Sequence, residues 1–313
     1  MGSVVISIDA ELAWGFHDLP DPPEPRIRRA RSAWVETVDL FDEYLIPATW
    51  AVVGHLLLEE CNGEHADHPA ATSGWFDADP GGDGTENDLW FGTNLVDAIR
   101  EADADHEVGS HSFSHVIFDR DRITPEIAAA EFRRSAAVAR ERDLSVSSFV
   151  FPRNIVGFRE LLPKYGFEAY RGRAPPRWYD DSKLYPLAKF VSYTVGTEGP
   201  PLVKPEIDEH GLVNIPASLD LYSFEGPART AARPFGEDPI VRQAKMGIDA
   251  AAESPGVFHI WLHPNNLVDQ ADVDRLRRVL SYVAERRDEG RLSVETMADV
   301  AERTLAKHRD LHA

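Results

Sequence analysis

Two periods alternate along the chain. Residues 3–9, SVVISID, form a β-branched apolar run that predicts a buried strand ending at Asp9 and Glu11. Apolar side chains then recur every three or four positions at Ile27, Ala30, Trp34, Val38, Phe41 and Leu45, the spacing of a covering helix that Pro47 ends. ATWAVVG (48–54) repeats the strand character and leads into a short helix over 55–60. The alternation continues with a helix over 89–100 and a strand whose end is read at Glu107-Val108. A helix follows over 125–142, opened by Thr124 and Pro125. Further strands are predicted at SSFVFPRN (147–154), GFEAYRG (166–172), LVNIPAS (212–218) and VFHIWLH (257–263). Helices are predicted near 181–190 and over 238–253, then along the stripe Val273, Leu276, Leu280, Val283 and around Met297 and Val300. Strands and helices in this order predict a parallel sheet. About seven strands in so long a chain predict a closed or nearly closed barrel.

Two stretches break the pattern. Residues 62–88 are rich in Gly, Asp and His and predict a long surface loop, with His65 and His68 as solvated side chains. The segment DADPGGDGTEND within it matches a calcium loop poorly, because its glycine is shifted and ligand positions are missing. Residues 173–237 carry many prolines and predict irregular, cleft-lining structure. Neither looks like a linker, so a single domain spanning 1–313 is expected.

Charge narrows the partners. The formal net charge is −20, from 53 acidic against 33 basic residues, which argues against nucleic acid and anionic membranes. The excess is spread along the chain, as on the acidic surfaces that a high-salt cytoplasm favours. One cysteine, Cys61, excludes an internal disulfide and cysteine-rich zinc sites. No apolar run approaches a membrane span, and Met1-Gly2 passes directly into Val4-Val5-Ile6, so a cytoplasmic protein is expected.

The chemistry gathers at predicted strand ends. HEVGSHSFSH (106–115) places His111 and His115 four residues apart, so a helical turn there would aim both imidazoles at one ion. Other ends offer Asp9 and Glu11, Arg153 and Asn154, and His263. Barrels of this kind do their chemistry at that face. Four strands ending in metal-compatible or acid–base groups make a hydrolytic site the expectation.

These motifs resemble the polysaccharide deacetylases, the NodB-homology group or carbohydrate esterase family four. HEVGSHSFSH is similar to the second family motif, SIDAE to the first, FVFPRN to the third and WLHP to the last. The resemblance implies a distorted seven-stranded (β/α) barrel and metal-dependent removal of an acetyl group from an N-acetylated sugar. It implies His111, His115 and an acidic residue of SIDAE as ligands of a divalent ion, with zinc expected, and His263 as general acid. Asp9 is assigned as base and Glu11 as ligand. The third motif departs from the family: Val150 stands where an arginine orients the base, and Arg153 where a tyrosine contacts the oxyanion. Arg153 either takes a related catalytic role or forms a rim salt bridge. Arg171 and Trp178 are candidates for the fourth motif. Trp14, Trp75, Trp178 and Trp261 are candidates for stacking on a sugar, and His259 is either a core residue or a partner of His263.

Physical chemistry leads to the same division of labour. Two imidazoles and a carboxylate hold an ion that activates water, a second carboxylate takes the proton, and an acid protonates the leaving amine. The expected substrate is a polysaccharide or a nucleotide- or lipid-linked N-acetylated glycan. Two rivals are an amidohydrolase of the same fold acting on a small non-sugar amide, and a carbohydrate-binding relative without catalysis.

Overall fold

A computed structural model describes residues 1–180, 183–224 and 236–312. Twelve strands are found among them. These are β1 (Ser3–Ala10), β2 (Thr49–Val52), β3 (Glu60–Cys61), β4 (Gly82–Asp83), β5 (Glu107–Ser110), β6 (Ser148–Val150), β7 (Ala169–Arg171), β8 (Glu206–Ile207), β9 (Val213–Asn214), β10 (Leu219–Asp220), β11 (Val257–Leu262) and β12 (Ser293–Glu295). The described α-helices are α1 (Glu24–Glu43), α2 (Thr93–Glu101), α3 (Pro125–Glu141), α4 (Tyr185–Thr194), α5 (Pro239–Glu253), α6 (Gln270–Asp288) and α7 (Met297–His312).

All eight residues of β1 are buried, as expected of a strand covered on both faces. It pairs in parallel with β11 along Ser3–Ile8 and with β2 along Ser7–Ala10, while β12 flanks its first three residues. The main sheet runs β10-β11-β1-β2-β5-β6-β7-β9-β8. One segment curls it. Val213 and Asn214 pair with β7, and after Pro216, which has no N–H to give, Leu219 and Asp220 pair with β11. The hand-over is visible in the backbone: Ala217 donates to Gly172 (3.1 Å) and Ser218 to His259 (2.8 Å). The predicted strand over 212–218 is therefore the piece that nearly closes a seven-stranded barrel.

Alternation along each strand then sorts the interior by height. On β1 the inward positions run Val5, Ser7, Asp9; on β7, Ala169, Arg171; on β11, Val257, His259, Trp261. The apolar ends, Val5, Ala169 and Val257, share one cluster with Met297, Val300 and Ala301 of α7, which plugs the barrel floor. The polar ends lie at the opposite mouth. Outward positions Val4, Ile6, Ile8 and Ala10 pack in the larger core under the helices.

Three expectations are corrected here. β5 begins at Glu107 and does not end there. HEVGSHSFSH makes no helical turn, because Ser112 and His115 both take left-handed backbone conformations (φ 65° and 62°). The segment 62–88 is not a solvated loop. It connects β3 to its antiparallel partner β4 and buries Ala70, Phe76, His65, His68 and Asp79, since the Phe76 ring fills space beside Trp14, Phe113 and His65. Of the irregular stretch over 173–237, residues 181–182 and 225–235 lie outside the described residues, and the helix expected near 181–190 is α4. No described helix is long and apolar enough to cross a membrane.

A pH dependence follows from His106. Its ring lies against Phe41 and Trp50, and its Nδ1 accepts the Ala48 N–H (3.1 Å). Burial pushes it down to about 4, against the pull of Asp42. Above about pH 6.5 the folded and unfolded states are both neutral there, so it contributes no pH dependence. Below that, the unfolded chain binds a proton that the fold refuses, and stability falls towards pH 4. Urea unfolding from pH 7.5 to 4.5 should be shallower for His106→Asn than for the parent, by up to about 1.4 kcal/mol per pH unit. Parallel curves would refute this.

Candidate active site

Glu11 follows β1 at the entry to a short 3-10 turn, and its buried carboxylate reaches both histidines. Oε2 lies 3.1 Å from His115 Nε2 and 3.6 Å from His111 Nε2, and the three side chains form one compact donor group. Gly15 makes this reach possible, because a Cβ there would stand 2.2 Å from Glu11 Cδ. His111 leaves β5 with its backbone N–H on Val52 O and its Nδ1 2.8 Å from Val150 O. A carbonyl can only accept, so Nδ1 carries the proton and the Nε2 lone pair faces Glu11. That nitrogen is buried and has no hydrogen-bond partner among the described residues. Glu11 is held well below the usual carboxylate range despite its burial, with His263 the leading influence against that burial. Burial pushes His115 down. A buried carboxylate facing an imidazole lone pair is a donor set that fits a divalent cation.

Asp9 has a different partner. Arg171 grips it with two parallel bonds, Nη1 to Oδ1 (2.6 Å) and Nη2 to Oδ2 (2.7 Å), both side chains being buried. Burial raises the Asp9 pKa, but Arg171, His111 and His263 together hold it below its ordinary value. Arg171 also donates to Ser7 Oγ (3.0 Å) and Asn154 Oδ1 (2.9 Å), and its guanidinium lies 4.7 Å over the Trp261 ring. His263 Nε2 stands 3.7 Å from Asp9 and 3.8 Å from Glu11, with its ring against Trp261. Asp9, Glu11, Gly15, His115, Arg153, Asn154, Trp261 and His263 line one cavity of about 300 Å³.

No family model and no curated protein matches the sequence. Solved structures do match over nearly the whole chain. A putative polysaccharide deacetylase from Mycobacterium smegmatis superposes with a TM-score of 0.62 at 14% identity, covering 98% of this chain and 91% of that one. A probable polysaccharide deacetylase from Pseudomonas aeruginosa PAO1 gives 0.58 at 14% identity, with 96% and 89% covered. The fold is that of the polysaccharide deacetylases. Puue allantoinase shares it, with a TM-score of 0.60 at 16% identity over 98% of this chain and 91% of that one.

Within this deacetylase fold the strand ends bring together Asp9, Glu11, His111, His115 and His263, as their motifs predict, and all but His111 line the cavity. Arg153 is on the rim, paired with Asp18 at 2.5 Å, which is the salt-bridge alternative. Val150 contributes its carbonyl to His111, and the guanidinium absent at 150 arrives from its register partner on the next strand, Arg171. His259 is buried between Ser7 Oγ (2.9 Å) and Ile215 O (3.2 Å). Burial, helped by Arg171, pushes it down to about 3. Trp178 is exposed and does not line the cavity, whereas Trp261 does.

Three contributors escaped the motifs. Asn265 donates to Glu11 Oε1 (3.2 Å). Asp220 is half-buried at the mouth end of β10, where desolvation raises its pKa against the Tyr222 N–H and the pull of His263. Glu131, on the buried face of α3, accepts from Phe113 N, Ser114 N and Ser114 Oγ and so braces the His111–His115 loop. Its signal was available, since 128, 131, 132 and 135 share one helical stripe that is otherwise apolar or small.

Removing the guanidinium should strand a buried charge. Arg171→Met is expected to cost about 3–5 kcal/mol in urea unfolding at pH 7. The Asp9→Asn/Arg171→Met double variant should recover much of that loss. Because the folded Asp9 pKa lies below the unfolded value of about 3.9, the penalty applies at neutral pH and fades as acid protonates the carboxylate. Additive losses in the two single variants would contradict the pairing.

Proposed function

We propose that this chain is a metal-dependent hydrolase that removes the acetyl group from an N-acetylated sugar, within a polysaccharide or a nucleotide- or lipid-linked glycan. The observation that carries the reading is one cavity lined by two distinct carboxylates. Glu11 faces two imidazoles and Asp9 faces a guanidinium, with His263 within 4 Å of both. Glu11, His111 and His115 would hold the ion. Bound there, a divalent metal, with zinc the expected one, supplies Lewis acidity toward an amide carbonyl and toward water.

The chain's own groups do the proton work. Asp9, kept ionised and oriented by Arg171, takes a proton from the attacking water. Ser7, Asn154 and Trp261 hold the guanidinium from three sides, so the base cannot swing away. His263 gives a proton to the nitrogen as the C–N bond breaks, which turns a poor amide leaving group into an amine. Its backbone N–H is fixed by Asn266 Oδ1 (2.9 Å), while its partly exposed ring lines the cavity. Trp261 offers an apolar wall to a sugar ring. The convergence of all five groups, four lining the cavity and His111 against Glu11, speaks against a binding protein without catalysis.

A second reading has support of its own. About 300 Å³ lies at the lower end of small-molecule sites, and an allantoinase shares the fold. A small non-sugar amide is therefore the alternative substrate.

Acetate release should be measured on nucleotide-linked, lipid-linked and oligomeric N-acetyl sugars, with small ureides and non-sugar amides alongside. Asp9→Asn should keep its metal and lose about 10²- to 10⁴-fold in rate. Glu11→Ala should lose the ion, with activity partly restored at high metal concentration. Turnover confined to non-sugar amides would replace the first reading with the second. If Asp9→Asn loses the ion and Glu11→Gln keeps both ion and rate, the two roles are exchanged.

A further inference from the structure

We propose a second metal site, formed by His55, Cys61, His65 and Asp79, that takes one zinc-like divalent ion and fastens the 58–92 segment to the end of β2. The four donors come from separate pieces of chain. His55 is in the 3-10 turn Gly54–Leu57 after β2, Cys61 in β3, His65 in the following loop, and Asp79 just before β4. Their donor atoms all lie within 4.8 Å of one another. Asp79 Oδ2 is the hub, 3.1 Å from His55 Nε2, 2.6 Å from His65 Nε2 and 3.4 Å from Cys61 Sγ. Donors around a tetrahedral zinc lie about 3.3–3.8 Å apart, so the cluster has the span of one coordination shell.

The state of His55 points to a cation. Its Nδ1 lies 3.3 Å from Trp90 O, and a carbonyl can only accept, so the proton is on Nδ1. The Nε2 lone pair therefore faces the Asp79 carboxylate. That nitrogen is fully buried and has no hydrogen-bond partner among the described residues. Two lone pairs facing each other in a dry site repel, and an ion between them turns repulsion into two bonds. His111 shows the same arrangement, with Nδ1 on a backbone carbonyl and Nε2 towards Glu11. The outer contacts are those of a metal site too. Asp79 Oδ1 accepts the Gly81 N–H (3.0 Å), and the rings of Trp14 and Phe76 lie 4.4 Å from His55 and His65 respectively. Two imidazoles, a thiolate and a carboxylate suit zinc better than calcium or magnesium.

The site is placed to steady the catalytic loop. Gly54 N donates to Ser112 O and His55 N to Phe113 O, both at 2.8 Å, and Trp75 Nε1, on the fastened segment, donates to Ser114 O (3.0 Å).

Cobalt(II) titrated into metal-stripped full-length protein tests this independently of any activity. Cys61 is the only cysteine, and the Glu11 group has no sulfur. A near-ultraviolet thiolate-to-cobalt charge-transfer band can therefore come only from this site. The band is expected to reach the intensity of one cobalt–thiolate bond per chain, to saturate by two equivalents because the Glu11 group also takes cobalt, and to vanish in Cys61→Ser. Zinc should also slow alkylation of Cys61 in the unsubstituted protein by about tenfold or more, a measurement that needs no variant to fold. Absence of the band at saturating cobalt, or alkylation unchanged by zinc, would overturn the proposal. Failure of acetate release would leave it standing.

Discussion

A full negative charge on Asp9, inside a nearly closed sheet, is the constraint that the upper half of this barrel answers. Stranding a buried carboxylate costs several kcal/mol, and a two-pronged guanidinium meets that cost only if its remaining N–H groups are also satisfied. Arg171 does this by donating to Ser7 and Asn154 as well as Asp9, and by lying on the Trp261 face. His259 completes the chain by contacting Ser7 Oγ, and its burial keeps it neutral beside the arginine. Remove the carboxylate and each of these residues loses its reason to be polar. The apolar floor under Val5, Ala169 and Val257 shows what the same strands hold where no charge must be kept.

The histidine loop answers a second constraint. A segment with two left-handed residues leaves several backbone N–H groups unpaired, and Glu131 gathers those of Phe113 and Ser114 from behind. His68 Nε2 stands 3.3 Å from the other oxygen of that carboxylate, so the inserted segment and α3 brace one loop together. The lone pairs on His111 and the carboxylate of Glu11 are thus aimed by main-chain carbonyls and helices, not by the ion they suit.

Much of this was legible in the sequence, and the reason is periodicity. Strands β1, β2, β6, β7 and β11 stand where apolar alternation placed them, within a few residues, and the helices follow their stripes. Asp9, Glu11, His111, His115 and His263 were legible because strand ends converge in such a barrel whatever the details of the loops. The four-residue spacing of the histidines was a sound signal with the wrong geometry behind it. Arg171 was a candidate for the fourth motif, but its pairing with Asp9 could not be read from sequence, because the two are 162 residues apart and only the register of β6 against β7 puts Arg171 beside Val150.

The 62–88 segment was misread for a different reason. Glycine, aspartate and histidine in a run look solvated when each residue is judged by its own hydration, and most such runs are. Here the burial comes from elsewhere, from Trp14, Phe91 and Phe113, whose rings wall in His55 and His65. Polar residues drawn under an aromatic wall must pair among themselves, and His65 with Asp79 is the outcome. His55, whose proton is committed to Trp90, cannot join that pairing as a donor. A cluster that satisfies every member but one is poorly designed as a hydrogen-bond network and well designed as a set of ligands.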